Sequence, residues 1–360
     1  MIMNLYIMKK KLVFAAILAI SLISWIYWSS SVETNDTFII LSRENYLYHN
    51  FLIEPRNTTC KGKPFLIIIV MSYVGHVELR SAHRRAMPPE LLRSLNIARI
   101  FLLARIPENE KLITQAAIKD ESEAFDDILQ GSFVENYRNL TYKHLMGLQW
   151  ASTNCYKAKF ILKVDDDIVF NLNKSITFMK TINKTENLVM GYVLEYTKPR
   201  RNKENKWYVT WDEYSRNYYP PYLSGWYYIT TPKVATLICD EATYHPKFWI
   251  DDILITGILT ESLGFKLQHL PNDYWLEYYE LLECCLRDMI DKSIMCNHVV
   301  GPNGGRNNLI VEFNEAVGHC ESWKNCTQRS SEKPLKKVCI VSSDRTIFSN
   351  GQGQVELTKL

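Results

Sequence analysis

The sequence predicts an α/β fold with a site at the C-terminal end of one strand. Two observations carry this. From Lys63 onward, short β-branched runs alternate with helix-compatible segments, and one such run, residues 160–164, passes straight into Asp165, Asp166 and Asp167. Alternating strands and helices pack as a sheet flanked by helices, and such sheets place ligands beyond the carboxyl ends of their strands. The chain has 360 residues, 47% of them apolar and 22% charged, which fits one large folded domain or two small ones. A formal net charge of +3, with Lys and Arg evenly spread, points to no general nucleic-acid or strongly acidic partner.

At the N-terminus, Lys9, Lys10 and Lys11 precede an uncharged apolar run over 12–28 that closes on Trp25, Tyr27 and Trp28. The run is long enough for a short membrane span. Basic residues before it and aromatic residues behind it orient the chain as a type II signal anchor with a cytoplasmic tail over 1–11. A cleavable signal peptide is the alternative, given Ala19 and Ser21, but aromatic residues stand where a small-residue cleavage region belongs. Six Asn-x-Ser/Thr acceptors, at Asn35, Asn57, Asn139, Asn173, Asn183 and Asn325, agree with a lumenal body. So do nine cysteines without CxxC metal spacing, six of them from Cys284 onward, which read as disulfides of an oxidising compartment. The odd count leaves at least one thiol free or paired between chains, so a disulfide-linked or other homo-oligomer is open.

Residues 29–62 are polar and aperiodic and read as a stem. The folded part begins near Lys63 with a strand over 65–70. A helix-compatible stretch follows, then a strand over 100–106, a helix over about 135–150 and the strand over 160–164.

Adjacent carboxylates leaving a buried strand repel one another unless a cation or several donors offset the charge. A hard divalent ion with open positions for diphosphate oxygens does this; a solvated acidic turn, or a helix cap by Asp167, is the bland reading. A second pair, Asp251 and Asp252, opens a segment over 249–257 that can start an amphipathic helix. These acids either cap that helix or supply a general base. Between the pairs, the aromatic and Pro/Gly-rich stretch 218–228 is either core and turn or a platform for a sugar ring, and composition favours core.

The order and wording of these segments resemble the beta-1,3-galactosyltransferase family, which includes beta-1,3-N-acetylglucosaminyltransferases and relatives of Fringe. The match spans about 65–270 and is most specific over 127–143, from Asp127 through Gly131, Glu135 and Asn139 to Lys143. Trp150, Cys155, the 163–167 motif, Asn171, an expected strand over 206–209 with Trp207, Tyr222 and Asp251-Asp252 follow in family order.

The resemblance implies a GT-A type fold and a catalytic domain over 63–275; from about Trp275 it fades, and the crowded cysteines of 276–360 read as a disulfide-tied extension. The resemblance also implies inverting transfer from a UDP-sugar to a glycan hydroxyl on a glycoprotein or glycolipid, Mn²⁺, and a lumenal Golgi location. Asp165 and Asp167 would hold the metal, and Asp165, Asp166, Arg80, Arg84 and Lys143 the nucleotide sugar. Asp252 would be the base, with Trp207, Tyr222, Gly225, Trp226 and Asp251 around the transferred sugar or acceptor. His269 is either another metal ligand or structural. The alternative to an active enzyme is an inactive relative that binds glycans or escorts a partner. Departures from the family pattern are Ala86 and Met87 after Arg84, Tyr227 where glycine is usual, Asp251 where Glu is common, and Thr256, which lengthens the spacing to Gly257 by one residue.

Overall fold

The computed structural model describes residues 50–56, 59–60, 62–323 and 326–339. The expected tail and anchor, most of the stem, and the acceptors at Asn35, Asn57 and Asn325 lie outside the described residues. Among the described residues no helix is long and apolar enough to cross a membrane. Asn173 and Asn183 are exposed, whereas the Asn139 amide donates to the Val134 carbonyl at 2.9 Å.

An eight-stranded mixed sheet runs in the order β1-β4-β3-β2-β5-β8-β7-β9. Its strands are β1 (Phe51–Ile53), β2 (Leu66–Met71), β3 (Ile97–Arg105), β4 (Ile128–Val134), β5 (Phe160–Asp165), β7 (Met190–Leu194), β8 (Tyr222–Thr230) and β9 (Gln268–His269). The central strands β4, β3, β2 and β5 are parallel, and β8 joins β5 antiparallel. β2 is buried along its whole length, as a strand covered on both faces must be. Leu66, Ile68 and Val70 enter one core and Ile67, Ile69 and Met71 the other. Each such burial stabilises the fold by roughly 2 kcal/mol.

Four helices flank the sheet ahead of Asp165: α1 (Val77–Ala86), α2 (Pro89–Ser94), α3 (Gln115–Phe125) and α4 (Leu140–Asn154). Pro89 at its first position starts α2, and the Thr114 hydroxyl caps α3 by accepting from the Ala117 amide. After β5 come β6 (Ile168–Phe170), α5 (Leu172–Thr181), capped by Asn171, and α6 (Pro232–Ala242), capped by Thr231. The short α7 (Leu259–Ser262) leads to α8 (Tyr279–Lys292), β10 (Val300–Pro302), α9 (Leu309–Trp323) and α10 (Leu335–Val338). β10 pairs antiparallel with β6 in a small second sheet.

One face of the large sheet carries side chains of α1, α5, α8, α9 and α10 in a single core; the other carries α4, α6 and residues 253–259. The C-terminal segment therefore shares the core of the first face. Cys284–Cys339, Cys285–Cys296 and Cys320–Cys326 tie it together, and Cys60–Cys155 fastens the start of the domain to the end of α4. Cys239 is the free thiol and is buried, so it is not placed to bond a second chain.

Three expectations change. β3 begins at Ile97 because Arg99, whose charge argues against a buried strand, is neutralised: it donates to the His83 and Met87 carbonyls and pairs with Asp127. Residues 206–209 form a turn with one bridge, Tyr208 to Arg200, because the Asn205 side chain accepts from the Trp207 amide. The segment after Asp252 is a π-helical turn, Ile253–Ile258, ahead of α7. A π turn accommodates one extra residue in a helix, and Thr256 is that residue by spacing.

Candidate functional site

β5 ends at Asp165, hydrogen-bonded neighbour to Met71 of β2, and the turn to β6 carries Asp166 and Asp167. The turn is fastened from beneath. The Asp166 amide donates to the Met71 carbonyl at 3.0 Å, and the Asp167 carbonyl accepts from the Asn303 amide at 2.9 Å. Asn303 belongs to a tight turn in which its side chain accepts from the Gly305 amide. Gly304 has φ of +61°, and a Cβ there would come within 2.2 Å of the Tyr279 ring, so only glycine fits. Sequence reasoning left this Gly-Pro-Asn-Gly-Gly segment without a role; its place beneath the acidic turn is set by a pairing 136 residues away in sequence, from Asp167 to Asn303.

The three acids have different surroundings. Asp166 is buried, with His76 Nδ1 2.9 Å from its Oδ2. Burial acts to lower the pKa of His76, but the Asp166 carboxylate prevails and raises it. His83, fully buried, donates from Nε2 to the Asp166 carbonyl at 2.9 Å, and burial pushes its pKa down to about 4. Asp165 is half-buried, with Lys163 Nζ 2.6 Å from its Oδ1. Desolvation raises its pKa against the pull of Lys163. Asp167 reaches solvent, yet desolvation by the surrounding protein, with Asp165 and Asp166 beside it, lifts its pKa to about 7.

The second acidic pair joins the first through Lys163. The Lys163 ammonium, fully buried, also donates to the Gly225 carbonyl, and the Gly225 amide donates to Asp252 Oδ2 at 3.0 Å. Gly225 is there because a Cβ would lie 1.9 Å from Asp252 Oδ1. Residues 224–227 can turn this way because the register between β8 and β7 slips: Gly191 pairs with Tyr228 but Val193 with Leu223, leaving Tyr192 opposite the excess. Asp251 is buried and takes a hydrogen bond from His144 at 2.8 Å. Burial pushes the Asp251 pKa up, but His144 and Lys163 hold it below the usual range. Asp252, desolvated and beside the Asp251 charge, is raised well above it.

Tyr137, Trp207 and Lys206 form a further set of polar and aromatic contacts. The Trp207 indole donates to the Tyr137 hydroxyl at 2.9 Å, and Lys206 lies 4.3 Å from the centroid of the Tyr137 ring. Burial raises the Tyr137 pKa, and the negative charges of Asp251, Asp252 and Asp165 add to the effect. Tyr222 responds to Asp252 in the same way. Tyr137 and Lys206 stand inside the segments that carry the resemblance, yet nothing in their own residue types distinguished them.

Other expected site residues are placed differently. Arg80 is fully buried and spends all five N–H donors on Glu121, Ser72 and the Tyr73 and Val74 carbonyls, leaving none for a phosphate. Arg84 is bound to Glu121 and Asp127. Lys143 gives its donors to Glu135 and the Ser72 carbonyl. Direct contact of these three with a nucleotide sugar gives way to a scaffold that fixes the loop after β2. Trp226 stacks on Trp275 at 5.3 Å between centroids, with Tyr192 stacked on that ring in turn, and joins the first core face, away from the side of β8 that meets Asp252. His269 is exposed on β9, and its donor atoms do not close a triad with Asp165 and Asp167 within 4.8 Å.

Comparison with known proteins gives the family. The family model described as Galactosyltransferase matches residues 79–271, more than half of the chain. The chain is 30% identical over 259 residues to beta-1,3-galactosyltransferase 1 of Mus musculus and of Homo sapiens, covering 68% of this chain and 78% of each relative. It is 31% identical over 242 residues to beta-1,3-galactosyltransferase 2 of Homo sapiens, covering 66% of this chain and 56% of that relative. Among solved structures, the galactosyltransferase LgtC in complex with donor and acceptor sugar analogs aligns with 74% of this chain and 98% of its own, at 12% identity and a TM-score of 0.38. On the family match and these sequence relatives, the chain belongs to the beta-1,3-galactosyltransferase family and is a glycosyltransferase.

Proposed function

We propose that the protein transfers a hexose or N-acetylhexosamine from a UDP-sugar to a glycan hydroxyl with inversion, forming a beta-1,3 linkage. The observation that carries this is the convergence of an acidic triplet and an acidic pair, far apart in sequence, linked by Lys163 and Gly225. The donor set at the Asp165–Asp167 turn is all oxygen and opens to the cleft, which suits a hard divalent ion such as Mn²⁺. Bound there, the metal would offset charge on the departing diphosphate.

The chain's own residues do the rest. Asp252, with its proton affinity raised by Asp251 and burial, accepts the proton of the acceptor hydroxyl. That oxygen attacks the anomeric carbon from the face opposite the leaving group, so a single displacement inverts the centre. Trp207, Tyr137 and Tyr222 shape the donor or acceptor site, and Lys206, held over the Tyr137 ring, adds a positive charge there. We place the enzyme as a type II protein of the Golgi membrane with a catalytic domain that begins near residue 63 and takes in the C-terminal segment sharing its core; the apolar run at 12–28, the glycan acceptors and the four disulfides support this.

The test is Mn²⁺-dependent binding and turnover of a UDP-sugar panel by the full chain. Asp167→Ala is expected to lose metal-dependent donor binding. Asp252→Asn is expected to keep donor binding while turnover falls roughly 10²- to 10⁴-fold. Absence of UDP-sugar binding with any divalent metal would overturn the reading.

A further inference from the structure

Behind Asp251 lies a buried polar chain that the proposed chemistry does not use. His144, on α4, is fully buried and has both ring nitrogens engaged: Nδ1 is 2.8 Å from Asp251 Oδ2, and Nε2 is 2.7 Å from the Tyr228 hydroxyl on β8. A ring in that position must be justified, because a buried polar group without partners costs more than an apolar one of the same shape.

We propose that Tyr228, His144 and Asp251 form a hydrogen-bond relay that positions the Asp251 carboxylate against Asp252, making His144 a positioning residue for the base. The inference rests on the reading of Asp252 as that base.

The direction of each bond follows from chemistry. Asp251, held as a carboxylate, can only accept, so the proton between them sits on His144 Nδ1. Burial lowers the pKa of His144 despite Asp251, so the ring is neutral and Nε2 is bare. The Tyr228 hydroxyl, whose ionisation burial opposes strongly, therefore donates to Nε2. Every donor then meets an acceptor, and a negative charge is fixed beside Asp252 without any positive charge in the chain. The donor atoms of His144, Asp251 and Asp252 lie within 4.8 Å of one another, a spacing that could also hold a cation. The hydrogen bonds already made by both ring nitrogens favour the relay. The other titratable groups facing the pair are Lys163 and Asp165 of β5, Tyr137, Tyr222 and, behind Tyr228, Cys239.

Two measurements on the full chain test this. The first is the imidazole nitrogen spectrum of protein labelled with ¹⁵N-histidine, with His144 assigned by loss of its signals in His144→Asn. A neutral ring protonated on Nδ1 is expected, and a proton on Nε2, an imidazolium, or signals shifted by added Mn²⁺ at this ring overturns the relay, whether or not a substrate is known. The second is kinetic, with UDP-galactose and p-nitrophenyl β-N-acetylglucosaminide as probes.

His144→Phe is expected to lower kcat roughly ten- to a hundredfold, the scale of a lost hydrogen bond to a charge, with the KM for UDP-galactose unchanged. Without its donor Asp251 takes up a proton more readily, so Asp252 loses the adjacent charge and the acidic limb of the kcat–pH profile moves to lower pH. His144→Asn, whose amide stands close to the lost Nδ1–H, is expected to restore most of the rate, and Tyr228→Phe to lose less than His144→Phe. The two conservative variants decide the matter if His144→Phe does not fold. An unimpaired His144→Phe, or kcat and KM worsening together with no shift of the limb, overturns the proposal. If Asp252→Asn is inactive while His144→Phe is unimpaired, only the relay falls; if Asp252→Asn keeps its turnover, the base assignment falls.

Discussion

Gly225 shows how little tolerance the site has at a single atom. A Cβ there would stand 1.9 Å from Asp252 Oδ1 and 2.4 Å from its carboxyl carbon, so Gly225→Ala must displace the carboxylate or the strand. With the base moved by about 1 Å, turnover is expected to fall roughly 100-fold while metal-dependent donor binding persists, as steady-state kinetics and a donor titration would show. His83 offers a second prediction, on stability. Its folded pKa of about 4 lies below the ordinary 6.5, so the unfolded chain binds the proton more readily between these values. The contribution is complete above pH 6.5 and is lost as pH falls through that window towards 4, in total about 3 kcal/mol. Urea unfolding near about pH 7.5 and 4.5 should show a smaller difference for His83→Gln than for the wild type. His298, also lowered to about 4, acts in both proteins alike. At this scale the sequence shows where the acids stand, since adjacent carboxylates leaving a buried strand need a cation or donors to offset their charge, but not which groups surround each one. Arg80, Arg84 and Lys143 were misread because sequence shows a charge but not its partner: Glu121 and Asp127 reach the arginines across tens of residues, and Glu135 takes the lysine.

The elements around Asp252 depart from regular geometry in two places that work together. The slipped register of β8 carries Gly225 to the Asp252 carboxylate, and the π turn Ile253–Ile258 sets the peptide from which that carboxylate hangs. Thr256 joins them: its hydroxyl accepts from the Leu223 amide at 2.9 Å and donates to the Asp252 carbonyl at 2.7 Å. Thr256→Val keeps the shape but leaves a buried amide without an acceptor. It is expected to cost about 1–3 kcal/mol in urea unfolding and to lower turnover, while Thr256→Ser, which keeps the hydroxyl, should recover most of both. Equal stability of the valine and serine variants would refute the link. The extra residue in this segment was visible in the sequence; its absorption by a π turn was not, because periodicity over six residues cannot separate 3.6 from a wider turn. Strands β2 and β5 were read closely because both are short, continuous and apolar. Residues 206–209 have the same β-favouring types but no neighbouring strand to complete a ladder, and the Asn205 side chain closes them into a turn.

For the whole molecule, the C-terminal segment decides what counts as the domain. Its crowded cysteines were legible as disulfides, but cysteine spacing cannot reveal that α8 and α9 bury Leu281, Leu282, Ile310 and Phe313 in the same core as Leu66, Ile68 and Val70 of the central strand. Nor could it reveal that the turn after β10 supports the carbonyl of Asp167. A chain ending at residue 275 would expose that core face and lose both β10, the partner of β6, and the amide of Asn303. Such a chain is therefore expected to show no cooperative thermal transition and no metal-dependent donor binding, even though every carboxylate of the cleft is present in it. A milder version separates covalent from packing effects. Replacing Cys284 and Cys339 by Ala opens a loop of 55 residues, for which chain-entropy arguments give a loss of about 4 kcal/mol. Because α8 and α9 still bury their apolar faces, this variant should remain folded near room temperature, with a lowered melting temperature and its donor affinity intact. A truncated chain that melts cooperatively would show that the core does not need the segment, and a double-alanine chain that loses donor binding while folded would show that this disulfide acts on the site itself.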